Sequence, residues 1–184
     1  MRALVAYASA HRSTAEMAER LADRIRKEGI EVTAAPVTSI HDVTAFDAVV
    51  LGGDVHERAW PPEADAFVRR FRDELGRRPL WLFSVGLVGD RSSALGRRAT
   101  RWVRGLHYYE PADVLELRDA IPIRGHHAFV GVVEHDDVPR GRRVLFRAMG
   151  GQFGDHRDWI DVDEWGHAIA RQLELLELAL VSGA

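Results

Sequence analysis

Short continuous apolar runs alternate along this chain with stretches in which apolar positions recur every three or four residues. The first run, Arg2–Ala8, predicts a strand buried on both faces. A helix follows, with Ala18, Leu21, Ala22 and Ile25 on one face and Gly29 as its stop. Glu31–Val37 alternates polar and apolar residues and contains Pro36, which cannot donate to a central ladder, so this second strand belongs at an edge. Asp47–Gly52 is a continuous apolar run and predicts a central third strand. Pro61 and Pro62 open the next helix, whose core stripe is Ala64, Phe67, Val68, Phe71 and Leu75. The fourth strand covers Leu80–Val85. A helix around Ser92–Gly105 is predicted to bury Leu95, Ala99, Trp102 and Val103. The fifth strand lies near Ala128–Val133. A last helix, Val162–Val181, presents Trp165, Ile169, Leu173, Leu176 and Leu180.

Strands alternating with helices imply an α/β fold with a parallel sheet covered on both faces. Five strands with the second at an edge match the doubly wound order 2-1-3-4-5. No repeat, linker or low-complexity tract divides the chain, so residues 1–184 read as one domain. In this order the ligand crevice lies beyond the carboxyl ends of strands one and three, where the winding reverses.

Composition narrows the partners. The chain has 184 residues, 46% hydrophobic and 29% charged, which suits a globular domain with a sizeable core. A net charge of −3 gives no reason to expect nucleic acid. No apolar run approaches the roughly 20 residues that cross a bilayer. Met1-Arg2 leads straight into a strand without the pattern of a signal peptide. The lack of cysteine excludes disulfides, thiolate metal sites, iron–sulfur ligation and cysteine nucleophiles. Together these features predict a cytoplasmic protein. Lysine appears once, as Lys27, and the abundance of arginine reads as composition bias.

Three loops leave the predicted crevice. The first is Ser9-Ala10-His11-Arg12-Ser13-Thr14, where a strand opens through small and hydroxylated residues into a helix start. Unpaired backbone N–H groups and the helix dipole favour a phosphate there, with Arg12 adding charge at the rim. The alternative is a capping box, with Ser13 as the cap and Glu16 bonding back. Both can hold, because a cap uses only one or two of the free donors. The second loop is Gly52-Gly53-Asp54-Val55-His56-Glu57-Arg58-Ala59-Trp60. Its paired glycines let a ligand approach the backbone, and His56 and Trp60 offer flat faces for a ring. The alternative is an ordinary turn with Trp60 packed on the next helix. The third loop, Ser84-Val85-Gly86-Leu87-Val88-Gly89-Asp90, is apolar at a place that faces solvent. A flat cofactor would cover it. The alternative is that Pro111–Arg124 folds over it.

Arg91, Arg97, Arg98, Arg101 and Arg104 form one basic face, and Arg140, Arg142, Arg143 and Arg147 form another beside Val144, Leu145, Phe146 and Met149. Each is either a solvated face or a surface that attracts an anionic substrate or an anionic membrane. The glycine-rich, charged run Gly150–Asp158 contains no hydrolytic triad or metal site. His126 and His127 are adjacent, so in a strand they face opposite ways and cannot chelate together.

The loop Tyr7–Thr14 resembles the phosphate loop of flavodoxin-like FMN proteins. Gly52–His56 and Ser84–Val88 fall where that family places its two isoalloxazine loops. More closely, Phe83–Val88, Arg147–Gly151 and the stretch from Trp159 to Trp165 resemble the flavodoxin-like, menaquinone-dependent protoporphyrinogen oxidases, over nearly the whole chain. The resemblance implies FMN, with its phosphate held by Ser9, Ala10, His11, Arg12, Ser13 and Thr14. It implies ring contacts from Gly53, Asp54, Val55, His56, Trp60, Ser84, Val85, Gly86, Leu87, Val88 and Gly89. Two positions depart from the pattern: Glu57 stands near the place of a frequent tyrosine, and Arg12 at a frequent glycine.

A flavin site needs no acid–base triad, because the cofactor carries the redox chemistry. The carboxylates of Asp54, Glu57 and Asp90 would lower its potential by opposing an anionic reduced flavin. The resemblance implies a porphyrinogen as substrate and a quinone as acceptor; peripheral contact at the inner face of a membrane is compatible with the basic faces, and the long last helix offers a surface for a homodimer. Two other readings are an electron-carrier flavodoxin and a degenerate flavodoxin-like domain acting as an interaction module. A phosphoacceptor receiver does not fit, because Tyr7-Ala8-Ser9 supplies no acidic pair for Mg²⁺ and the fifth strand ends without lysine.

Overall fold

The first strand, β1 (Arg2–Ala8), lies second in a parallel sheet that also contains β2 (Glu31–Pro36), β3 (Ala48–Asp54), β4 (Leu80–Gly86) and β5 (Gly125–Val130). Their order is β2-β1-β3-β4-β5, as the apolar runs and the edge proline predict. This is a computed structural model, and it describes residues 1–9, 12–105 and 111–182. The helices are α1 (Arg12–Arg26), α2 (Pro62–Arg70), α3 (Arg72–Gly76), α4 (Arg97–Gly105), α5 (Ala112–Ala120), α6 (Arg143–Ala148) and α7 (Trp159–Ser182). A small antiparallel pair joins β6 (Val132–Val133) to β7 (Gly154–Asp155).

Alternate residues of the strands feed two cores. Val5, Val50, Trp81 and Phe83 meet α1 and α7 through Met17, Leu21, Ile25, Ile169 and Leu173. Leu4, Leu51 and Leu82 meet α2, α3 and α5 through Phe67, Leu75, Val114 and Leu117. Burying one such large apolar side chain contributes about 1.5–3 kcal/mol, so both layers are strongly held. Helix α1 stops where Gly29 takes φ +86°, a left-handed cap. A bidentate pair between Arg20 and Asp163, at 2.7 and 2.6 Å, then ties α1 to α7.

The structure corrects several expected elements. Helix α4 begins at Arg97 rather than Ser92, and none of its residues is buried; Trp102 is 62% exposed. Strand β5 begins three residues earlier than expected, so His126 and His127 lie within it. Pro111–Arg124 contains α5 and packs Val114, Leu117 and Ile121 into the core that α2 and α3 share with the sheet, rather than closing over the third loop. Among the described residues, no helix is long and apolar enough to cross a membrane.

Candidate functional site

Parallel register lines up Ala8, Gly53, Ser84 and Ala128 in one row across β1, β3, β4 and β5. The three loops therefore leave the sheet side by side. Ser9 follows Ala8 and is half-buried. Ala10 and His11, both expected phosphate contacts, lie outside the described residues.

The opening turn of α1 carries the clearest chemical signal. Thr14 is 0% exposed, and its Oγ1 has no hydrogen-bond partner among the described residues. A buried hydroxyl left unmatched costs free energy that a bound acceptor would recover. Ser13 is half-buried beside it in sequence. Its Oγ lies 3.7 Å from where a Cβ on Gly131 would stand. The helix start thus reaches the end of β5. Arg12 does not obstruct this turn, because its side chain is 91% exposed and pairs with Glu16 at 2.8 Å.

The alternative reading, a capping box of Ser13 and Glu16, does not form among the described residues. Glu16 turns instead to Arg12 and to Arg157, whose Nη1 lies 2.5 Å away. Arg157 also grips Asp155 through two hydrogen bonds of 2.9 and 2.7 Å and lies 4.6 Å over the Trp159 ring. These bonds hold the Asp155 and Glu16 carboxyls below their ordinary range, each chiefly through its hydrogen bond to Arg157. Arg12, Ser13, Glu16, Val132, Glu134, Asp137 and Arg157 surround a cavity of about 190 Å³. Arg157 comes from the charged run Gly150–Asp158, which contains no hydrolytic triad or metal-ligand spacing. Its only signal there was the spacing Asp155-x-Arg157.

In the second loop, internal packing accounts for the paired glycines. A Cβ on Gly52 would stand 2.3 Å from the Phe83 ring. One on Gly53 would meet Ala8 O at 3.2 Å and Trp60 Cγ at 3.3 Å. Trp60 is 6% exposed and donates its indole N–H to Ser84 Oγ at 3.0 Å. It follows the packing alternative, because a buried indole needs an acceptor and Ser84 supplies it. Ser84 is buried and in turn lies 2.9 Å from His126 Nε2. Desolvation lowers the His126 imidazole to about 4, so it is neutral at pH 7.

Asp54 is buried and lies 2.9 Å from Nε2 of the exposed His56. Val55 donates its N–H to Val85 O at 2.8 Å and approaches Gly86. Mutual backbone bonds of 3.0 and 2.9 Å between His56 and Ala59 close a two-residue turn. Its central residues, Glu57 and Arg58, take φ of 50° and 68°. Such a turn favours Asn-Gly, so two non-glycine residues there store strain beside the crevice.

The third loop folds back instead of standing open. Asp90 N–H donates to Ala128 O at 2.8 Å, and Asp90 Oδ2 accepts from Ala128 N–H at 3.0 Å. Val88 and Gly89 are buried, and only Leu87 of its apolar residues is well exposed. A Cβ on Gly89 would stand 2.6 Å from Ala128 O, so this glycine is required for the close approach. Behind the loop, His127 lies 3.4 Å from Asp90 and 3.1 Å from the buried Asp161, and stacks on Trp165. The two histidines do face opposite ways, as their adjacency in a strand predicts.

A family model described as "Flavodoxin domain" matches residues 4–110. No curated protein matches the chain. Among solved structures, a flavodoxin from the domain Archaea aligns with TM-score 0.58 at 12% identity, over 95% of this chain and 99% of that one. A mutant flavodoxin from Pseudomonas aeruginosa aligns with TM-score 0.59 at 13% identity, again over 95% and 99%. The rubredoxin oxygen:oxidoreductase from Desulfovibrio gigas aligns with TM-score 0.53 at 18% identity, over 95% of this chain but 36% of that one. At these identities the likeness shows the fold.

Proposed function

The chain belongs to the flavodoxin-domain family, a family of FMN-binding redox domains, and on that premise we propose that FMN is held at the three-loop crevice of an oxidoreductase with its own substrate. The observation that carries the FMN assignment is the buried, unmatched Thr14 hydroxyl in the opening turn of α1. The residues fit the group. Ser13, Thr14 and the first amides of α1 would take the phosphate as donors aligned with the helix dipole. Val55, His56, Gly86 and Leu87, at the mouth of the crevice, would flank the ring. Trp60 supports the second loop from below rather than offering a face. FMN supplies two-electron chemistry when bound, and the protein sets its orientation and electrostatics. Asp54, Glu57 and Asp90 place carboxylates around the crevice and disfavour added negative charge there.

For the substrate we infer a porphyrinogen, with a quinone as acceptor, approaching from the anionic inner surface of a membrane. What supports this is the basic rim. Arg97, Arg98 and Arg101 lie on α4, which Arg104 ties to Gly89 of the third loop, and Arg140, Arg142 and Arg147 lie around α6, with Arg142 3.9 Å from Glu57 of the second loop and the exposed Val144 and Leu145 among them. A carrier that docks through an acidic face would not be built this way. The test is an anaerobic assay of porphyrinogen oxidation with a quinone. Porphyrin fluorescence should appear in step with quinol. A yellow protein that exchanges electrons but leaves the porphyrinogen unchanged would assign the chain as a carrier. A colourless protein that FMN fails to reconstitute would assign it as a degenerate domain.

A further inference from the structure

Beside the third loop is a cavity of about 560 Å³, outside the crevice, lined by Ser92, Ser93, Arg97, Thr100, Arg101 and Arg104 among others. This volume lies within the range of small-molecule sites. Its charge is one-sided. Arg97 and Arg101 make no ion pair with any described residue, and α4 carries no acidic residue in its first turn. Arg104 spends its guanidinium on the carbonyls of Gly89, at 3.1 and 2.5 Å, and Ser92, at 3.2 Å, which leaves its charge uncancelled. Only Arg91 at the margin is neutralised, by Glu164 and by Asp161 at 3.5 Å.

This arrangement works against the helix that bears it. Arg97 and Arg101 repel at i,i+4, and Arg101 and Arg104 repel at i,i+3. Arg97 and Arg98 also sit at the N-terminal end of α4, where the dipole disfavours cations. A solvated surface helix gains nothing from such a pattern. An anion between these arginines would offset both penalties at once. The hydroxyls of Ser93 and Thr100, 2.7 Å apart, add polar groups to the same wall.

The geometry points to a second ligand site here, for a small organic molecule carrying at least two anionic groups, carboxylate or phosphate, spaced to bridge Arg97 and Arg101. Binding rests on the cavity itself. The use of that ligand as the redox substrate rests on the flavin reading above, because Arg104 joins the cavity wall directly to Gly89 of the third loop.

The test is calorimetric titration of the flavin-loaded protein with pyrophosphate, citrate and inorganic phosphate. At least one of the first two should bind tenfold or more tightly than inorganic phosphate, and its affinity should fall as salt rises. Whichever binds better distinguishes a phosphate ligand from a carboxylate one. The double variant Arg97→Ser/Arg101→Ser should lose at least tenfold in that affinity while keeping its flavin and its unfolding midpoint. Arg171→Ser, on the exposed side of α7, should bind as the parent does. Absence of binding at millimolar probe, or equal affinity in the double variant, overturns the proposal. Capture of the protein by phosphatidylglycerol vesicles without any small-polyanion binding also overturns it, and gives this face to a membrane. Flavin content read in the same samples keeps the two readings apart. Loss of flavin with polyanion binding intact sinks only the flavin site, and retained flavin without polyanion binding sinks only the cavity.

Discussion

Replacing Thr14 by valine separates the stability of this protein from its hold on phosphate. Valine keeps the branched shape and the χ1 preference and exchanges the hydroxyl for a methyl. The hydroxyl is wholly buried and has no partner among the described residues, and an unmet buried donor costs about 1–3 kcal/mol. The two residues have similar helix propensity, so little is lost in α1. The flavin-free variant should therefore be more stable by about 1 kcal/mol, which for a chain of this size raises Tm by about 2–4 °C. Binding should move the other way. A hydrogen bond from this hydroxyl to a charged phosphate is worth about 1.5–3 kcal/mol, so FMN affinity should fall roughly 10- to 100-fold. Riboflavin has no phosphate, and the variant should bind it as the parent does. Urea unfolding of the flavin-free protein and titration by flavin fluorescence give both numbers. A less stable variant with unchanged FMN affinity would refute the reasoning, because the hydroxyl would then be satisfied within the fold.

Further outcomes follow from individual contacts. Desolvation lowers the His126 imidazole from 6.5 to about 4, assisted by Arg118 and His127 and opposed by Asp90. The unfolded chain then takes up a proton near pH 6.5 that the folded one refuses, so this contribution is full above pH 6.5 and is lost as pH falls toward 4. It amounts to at most about 3 kcal/mol. His126→Asn should flatten the pH dependence of urea stability in that window, and an unchanged slope would contradict the assignment. Glu57→Asn with Arg58→Gly relieves two positive-φ residues and should raise stability by about 1–2 kcal/mol; a lowered urea midpoint would count against the turn. Gly89→Ala drives a methyl against backbone and should cost about 1–3 kcal/mol and weaken flavin binding. A midpoint and affinity equal to the parent's would show that the third loop is not pinned there. Arg142→Ser with Arg143→Ser should raise KM for an anionic porphyrinogen more than it lowers kcat, and an unchanged KM removes α6 from substrate binding.

The sheet was legible because each central strand is a continuous apolar run and Pro36 marks an edge. The same signal failed where burial and periodicity part company. Arg97–Gly105 has helical spacing, but Trp102 meets solvent rather than a core, and no residue of α4 is buried. Helix α5 escaped notice because its core contacts, Val114 and Leu117, are interleaved with the exposed Leu115. Strand β5 looked too polar at His126 and His127, whose partners, Ser84 and Asp161, lie 42 and 34 residues away in sequence. At the site, the strand-to-helix junction points to Ser13 and Thr14, and the structure sets both in the opening turn of α1, Thr14 buried and Ser13 half-buried. The spacing of Ser13 and Glu16 offers a capping box as an alternative, but Glu16 pairs with Arg157, 141 residues further along, and local spacing carries no trace of such a contact. An aromatic in a loop fits either a ring contact or packing, and the sequence does not show the Ser84 hydroxyl that decides for packing at Trp60.

The most direct test is a crystal structure of the full chain grown with FMN. It should show the phosphate accepting hydrogen bonds from Thr14 Oγ1 and Ser13 Oγ at the opening turn of α1, with the ring at the mouth formed by Val55, His56 and Gly86. Density that leaves this turn empty, or that places the phosphate between Arg97 and Arg101, would contradict the account.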